Sequence, residues 1–246
     1  MLTPENIVVP ALAGDGPLPA VALCPPGARR GVVVLHEIMG PQPEITRVVV
    51  RFAAAGYAAI APDLFAEGGR LPCIASVVRA SATGEGRPVR DLARARAWLM
   101  ARTGLATDTI GLAGFCLTGG FVLAIGQGWP AISSNYGAIP PFERMADLGP
   151  VIACYGGRDR IFAPNAEPVR RALTAHGIAH EVRTYPTVGH SFLTDGHHPI
   201  GSLLSRAALH VRYDSAVAED AWDKILGFFD RHLELATPAA PELPER

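Results

Sequence analysis

The chain predicts an α/β fold, a mostly parallel central sheet with helices on both faces. Three observations carry that expectation. Short apolar runs alternate with helical stretches along most of the 246 residues. The runs are apolar throughout rather than alternating with polar residues, as strands buried on both faces must be. The polar segments that carry reactive side chains follow directly on such runs, where a parallel sheet gathers the carboxyl ends of its strands.

Gly31-Val32-Val33-Val34-Leu35 is a short β-branched run ending in polar His36-Glu37. It reads as a strand followed by a functional loop. An amphipathic helix over 44–55 stops at Gly56, and 58–61 is a second buried strand broken by Pro62-Asp63. From 65 to 87, glycines, an interior proline and scattered charges show no sustained period, which predicts a long loop. Residues 89–101 mix Arg, Ala, Leu and Trp98 as a surface helix does. A strand over 110–113 feeds a sharp turn, and a helix over 117–125 leaves it. Strands are expected at 134–137 and 151–155, a helix at 164–176 before Gly177, a strand at 181–185 before Pro186, and a helix at 216–232. Residues 195–214 give no clear pattern and suggest a partly helical excursion. A Pro- and Ala-rich tail from about 236 is expected to be poorly ordered. No linker or internal repeat divides 1–246, so a single domain is expected.

Composition narrows the function classes. With 49% hydrophobic and 18% charged residues, the chain has ample material for a core. A formal net charge of -1 gives no global reason to bind nucleic acid or anionic lipid. No charged residue lies between Asp108 and Glu143. Even so, Gly111, Gly114, Gly119 and Gly120 split that stretch into a strand and a helix rather than a membrane span. The first residues lack a basic segment followed by an apolar signal core, so the cytoplasm is the expected compartment. Cys24, Cys73, Cys116 and Cys154 are far apart, with neither a redox nor a zinc spacing. A reduced compartment suits them, and Cys24, Cys73 and Cys154 read as small buried hydrophobes. Adjacent His197 and His198 lack a third and fourth ligand, so neither a metal nor another cofactor is expected.

Cys116 differs by context. Gly114-Phe115-Cys116-Leu117-Thr118-Gly119-Gly120 sets it between glycines where a strand turns into a helix, which exposes the sulfur and lets the helix approach the sheet. A cysteine nucleophile needs a base for its proton and a third group that orients the base. Gly156-Gly157-Arg158-Asp159 follows one strand and Gly189-His190-Ser191-Phe192 follows another. His190 is the candidate base and Asp159 its orienting carboxylate. The loop His36-Glu37-Ile38-Met39-Gly40 ends the first long strand, and the backbone NH groups of Ile38 and Leu117 are candidate oxyanion donors. Glu37 at an apolar strand end needs solvent, a partner or a catalytic purpose, and a purpose is favoured. His36 reads as a hydrogen-bonded structural residue.

In order, Leu35-His36-Glu37-Ile38-Met39-Gly40, Ala61-Pro62-Asp63-Leu64-Phe65, Gly114-Phe115-Cys116-Leu117, Gly156-Gly157-Arg158-Asp159 and Gly189-His190-Ser191-Phe192 resemble the blocks of the dienelactone hydrolase family. The resemblance runs from about Gly31 to the final helix. It implies a cofactor-free α/β-hydrolase with Cys116, Asp159 and His190 as its triad. It also implies that Glu37 interacts with the thiol and helps generate the thiolate when substrate arrives. The chain departs from the family twice. Thr118 precedes the paired glycines of the cysteine turn, and Leu193-Thr194-Asp195 stands where the prototype carries a carboxylate-binding arginine. Arg70, Arg79 or Arg87 could supply a cation instead.

The leading expectation is therefore a thiol hydrolase of a small ester or lactone that works through an acyl-enzyme. One rival is a non-catalytic small-molecule binding or sensing protein that keeps Cys116 as a reactive thiol. Another is a redox protein pairing Cys116 with Cys154. The residues leave the oligomeric state open.

Overall fold

The computed structural model describes residues 3–11, 14–195, 207–211 and 213–236. Eight strands form one sheet: β1 (Glu5–Val9), β2 (Leu18–Leu23), β3 (Arg30–Leu35), β4 (Tyr57–Pro62), β5 (Ile110–Phe115), β6 (Ile132–Asn135), β7 (Val151–Gly156) and β8 (His180–Tyr185). Their spatial order is β1-β2-β4-β3-β5-β6-β7-β8. The β1–β2 and β2–β4 pairings are antiparallel and the rest are parallel. The helices are α1 (Pro43–Ala54), α2 (Arg70–Thr83), α3 (Arg87–Thr103), α4 (Leu117–Ile125), α5 (Ala166–Ala175) and α6 (Ser215–His232).

The continuous apolar runs are explained by burial on two faces. Along β3, Val33 and Leu35 join a core with Val77 of α2, Leu99 of α3, Phe121 of α4 and Leu173 of α5. Val32 and Val34 point the other way, into a core with Phe52 of α1 and Trp222, Ile225 and Phe229 of α6. Phe52 stands edge-on to Trp222, with ring centroids 5.5 Å apart, and stacks on Phe229. Such pairs add a little to the area they bury, about 1 kcal/mol each.

Three departures from the sequence expectation have physical causes. The segment expected to be a long loop contains α2, a helix between Gly69 and Gly84 that buries only Cys73, Val77 and Ala80. Its apolar stripe is too narrow to stand out from the charges. Its proline, Pro72, sits in the first turn, where the missing NH would have no acceptor anyway. β1 and β2 were not anticipated; β1 is a mostly exposed edge strand with little core pattern of its own. Finally, α3 is less of a surface helix than its charges suggest. Asp91 and Arg94 are both buried and paired at 2.8 Å. Arg94 also donates to the carbonyls of Pro10 (2.8 Å) and Gly16 (2.9 Å), which ties the β1–β2 connection to α3. The remaining strands and helices lie where expected to within a few residues; β6 begins earlier, at Ile132.

The order of the sheet decides where a site can form. From β3 the chain crosses to β4 on one side, and from there to β5 on the other side of β3. Helices that leave in opposite directions open a crevice at the carboxyl ends of β3 and β5. Glu37 and Ile38 follow the first of these strands and Cys116 follows the second. The crevice is kept narrow by backbone contact: a Cβ on Gly119 would stand 2.5 Å from the Asn135 carbonyl oxygen and 3.0 Å from Gly137 Cα. Gly119→Ala is therefore expected to destabilise the fold by about 2 kcal/mol through overpacking against backbone. Urea denaturation would measure it, and an unchanged midpoint would contradict this packing.

Candidate active site

Cys116 lies between β5 and α4 with φ 57° and ψ -116°, a left-handed conformation that costs a non-glycine residue about 1–3 kcal/mol. Its neighbours make the turn feasible. A Cβ on Gly114 would meet the Thr118 carbonyl oxygen at 2.3 Å, and one on Gly120 would meet the Ala138 carbonyl oxygen at 2.5 Å. Only glycine lets the helix return this close to the sheet. The Cys116 amide donates to the Asn135 carbonyl at 3.0 Å, and the residue is 7% exposed. The residue immediately precedes α4, at the amino end of that helix.

His190 and Asp159 come from the loops after β8 and β7 and meet in the interior. His190 Nδ1 lies 2.6 Å from Asp159 Oδ2, with both side chains fully buried. The other Asp159 oxygen accepts from the amides of Ile161 and Phe162, each at 3.0 Å, which fixes the carboxylate. The imidazole packs against Tyr136 and Phe162, each with its ring centroid 4.9 Å away. Its backbone is held as well: the His190 amide donates to the Leu209 carbonyl at 2.8 Å. Residues 207–211, part of the segment that gave no clear pattern, thus pack beside the histidine loop; 196–206 and 212 lie outside the described residues, as does the tail beyond 236.

The remaining ring nitrogen, Nε2, is buried without an aligned hydrogen-bond partner among the described residues. Cys116 is nevertheless close enough to act on the ring. Burial works against the imidazolium, but Cys116, the hydrogen bond to Asp159 and the charge of Glu37 outweigh it and push the His190 pKa from 6.5 up to about 10. Cys116 thus lies close enough to the ring to act on its charge.

Glu37 also reaches this rim, though not by a hydrogen bond to sulfur. Its Oε1 accepts from the Tyr136 hydroxyl and its Oε2 from the Ser191 hydroxyl, both at 3.1 Å. Burial, Glu37 and Cys116 hold the Tyr136 pKa well above the ordinary value of 10, so its hydroxyl keeps the proton it donates. Sequence reasoning passed over Tyr136 and Ser191. Ser191 adjoins the histidine, and Tyr136 directly follows the last residue of β6; position at a strand's carboxyl end was the signal available for both. Each has a positive φ, 44° for Tyr136 and 56° for Ser191, which only coordinates reveal.

His36 is structural, as expected. Its Nε2 accepts from the Leu64 amide at 3.1 Å, so Nδ1 carries the proton and donates to the Glu37 carbonyl at 2.8 Å. Burial lowers its pKa against the opposing pull of the Glu37 carbonyl and Asp63. Leu117 is the first residue of α4, where an amide has no intrahelical acceptor. Among the described residues, the Ile38 amide donates no backbone hydrogen bond. Of the three arginines considered, Arg87 is engaged by Glu67 and Asp91, whereas Arg70 reaches the Glu37 loop at Met39 Sδ (3.7 Å). Cys73 and Cys154 are buried and Cys24 is half-buried. Burial pushes the Cys154 thiol up to about 12, which makes it a poor partner for redox exchange. Among the described residues no group of His, Cys, Asp and Glu is arranged to hold a metal, and no helix is long and apolar enough to cross a membrane.

Comparison with known proteins bears on the fold and the family. The model of the family described as "Dienelactone hydrolase family" matches residues 18–233. A carboxymethylenebutenolidase of Rhodococcus opacus is 26% identical over 245 residues, spanning 91% of this chain and 90% of the relative. The dienelactone hydrolase of Anabaena variabilis superposes with a TM-score of 0.62 at 20% identity, covering 94% of this chain and 100% of its own. The dienelactone hydrolase-like promiscuous phosphotriesterase P91 from metagenomic libraries gives a TM-score of 0.74 at 19% identity, covering 95% of this chain and 99% of its own. The architecture is the α/β-hydrolase fold.

The raised His190 pKa has a testable consequence. Because the folded value lies above the ordinary one, the imidazolium contributes stability that is complete below about pH 6.5 and is lost as pH rises through about 10. NMR titration of the His190 ring should find it protonated at pH 8 in the wild type. Cys116→Ala should titrate distinctly lower, because the sulfur makes the largest upward contribution. Identical titration of the two proteins would refute that contribution.

Proposed function

Because the chain belongs to the dienelactone hydrolase family, and is thus an ester or lactone hydrolase, we propose that it is a single-domain thiol enzyme with Cys116, His190 and Asp159 as its triad. The observation that carries this reading is the 2.6 Å His190–Asp159 contact, buried beside a strained cysteine at the switch point of the sheet. The family assignment weighs against a purely binding role, and the inert Cys154 weighs against a redox role.

In the first half-reaction the Cys116 thiolate attacks the carbonyl carbon. A C–S bond forms, and the carbonyl electrons move onto an oxyanion held by the Ile38 and Leu117 amides. Collapse of the intermediate breaks the C–O bond. The departing alkoxide takes the proton from His190 Nε2, and in a lactone it stays attached to the acyl group as a hydroxyl. In the second half-reaction neutral His190 removes a proton from water, the hydroxide adds to the thioester, and Cys116 leaves as thiolate. Asp159 keeps the Nδ1 proton in place and stabilises the imidazolium in both halves. Glu37, steadied by Tyr136 and Ser191, adds negative charge that holds the histidine proton while the site awaits substrate. No metal or organic cofactor takes part in these steps. We assign the enzyme to the cytoplasm, where its four thiols would stay reduced.

Cys116→Ala should abolish hydrolysis of an activated ester and remove the acyl adduct seen by mass spectrometry after a lactone panel; a full-rate Cys116→Ala enzyme would refute the nucleophile. Asp159→Asn should lower kcat by about 10³–10⁴-fold in a folded protein. Glu37→Gln should slow alkylation of Cys116 by iodoacetamide near neutral pH. Labelling unchanged across pH would remove Glu37 from thiolate control.

A further inference from the structure

The steps above leave Thr118 without a role. Its side chain is completely buried at the base of the cysteine turn. The β3–β5 ladder runs from the Gly31–Ile110 pair to the Leu35–Gly114 pair. Beyond it the strands part to form the crevice, and backbone groups that a longer ladder would have paired need other partners. Thr118 supplies them. Its Oγ1 accepts from the Phe115 amide at 2.9 Å. Its proton has three carbonyls within reach: His36 at 3.0 Å, Leu35 at 3.1 Å and Phe115 at 3.1 Å. A hydroxyl has one proton to give, and two of its three acceptors lie on the β3 side.

Phe115 immediately precedes Cys116, and His36 precedes Glu37 and Ile38. A single hydroxyl therefore joins the residue before the sulfur to the chain that carries the acid and one oxyanion amide. With no exposure, water cannot take its place. We propose that Thr118 is a positioning residue that fixes the separation between the Cys116 sulfur and the Ile38 amide across the opened end of the ladder. This rests on Cys116 being the nucleophile and extends that reading to a residue that touches neither substrate nor sulfur. Because the oxyanion forms in both half-reactions, a loosened separation slows both, while ground-state binding and the intrinsic reactivity of the thiolate change little.

The experiment compares wild type, Thr118→Val, Thr118→Ser and Cys116→Ala with p-nitrophenyl acetate and, separately, with iodoacetamide, whose alkylation needs no oxyanion donor. Thr118→Val keeps the shape and removes the hydroxyl. It is expected to lower kcat by about 10- to 100-fold with KM changed by less than about threefold, and to alkylate at close to the wild-type rate. Thr118→Ser is expected to recover most of the lost rate. If Thr118→Val does not fold, Thr118→Ala replaces it in the comparison with serine. Wild-type kcat in the variant lacking the hydroxyl, a serine variant equally slow, or alkylation that falls in step with hydrolysis would each overturn the proposal. Hydrolysis surviving in Cys116→Ala would overturn the nucleophile reading itself, an outcome visible without any Thr118 variant.

Discussion

The site depends on one backbone constraint: Cys116 must hold a left-handed conformation between a buried strand and a buried helix. The strain persists because the surrounding backbone leaves the turn no room to relax. Gly114, Gly119 and Gly120 bring α4 to within contact of β5 and of the chain after β6, closer than any side chain would allow. The Cys116 amide, meanwhile, is held by the Asn135 carbonyl. Cys116 is thereby held where β3 and β5 diverge, at the amino end of a helix, with its side chain packed against one of the two cores and only 7% of the residue exposed.

Around that turn the polar groups are buried or half-buried and almost fully satisfied. Asp159 accepts from two amides and faces the imidazole, Glu37 accepts from two hydroxyls, and His36 joins Leu64 to the Glu37 carbonyl. Buried polar networks are rigid when every member is paired, and in a dry site each interaction is stronger than in water. Against that background the unpartnered Nε2 of His190 stands out as the atom the network leaves available. It belongs to the side chain that we propose as the acid and base of the reaction.

The scaffold beyond the crevice supports it by pinning the loops. The indole NH of Trp222 on α6 donates to the Leu193 carbonyl at 3.0 Å, which ties the segment after His190 to the aromatic core over one face of the sheet. On the other face, Arg94 gathers the connection between β1, a mostly exposed edge strand, and β2. The buried Asp91–Arg94 pair stabilises chiefly through what it organises, since removing either partner would strand a charge in the core.

The chain's own sequence determined the parallel α/β class, most of the strands and helices, and the candidates Cys116, Asp159, His190 and Glu37. Strongly apolar runs, glycine spacing and the placement of reactive residues at strand ends are local properties, legible without coordinates. The sheet's order, the edge strand β1 and the helix hidden in the expected loop were decided by tertiary packing, because the local hydrophobic signals of β1 and α2 are weak; β2 is apolar throughout, and its place is set by its antiparallel pairing with β1 and β4. The same holds for Tyr136, Ser191 and Thr118. Their significance lies in hydrogen bonds to residues 99, 154 and 82 positions away, the consequence of a backbone that brings distant strand ends to one rim.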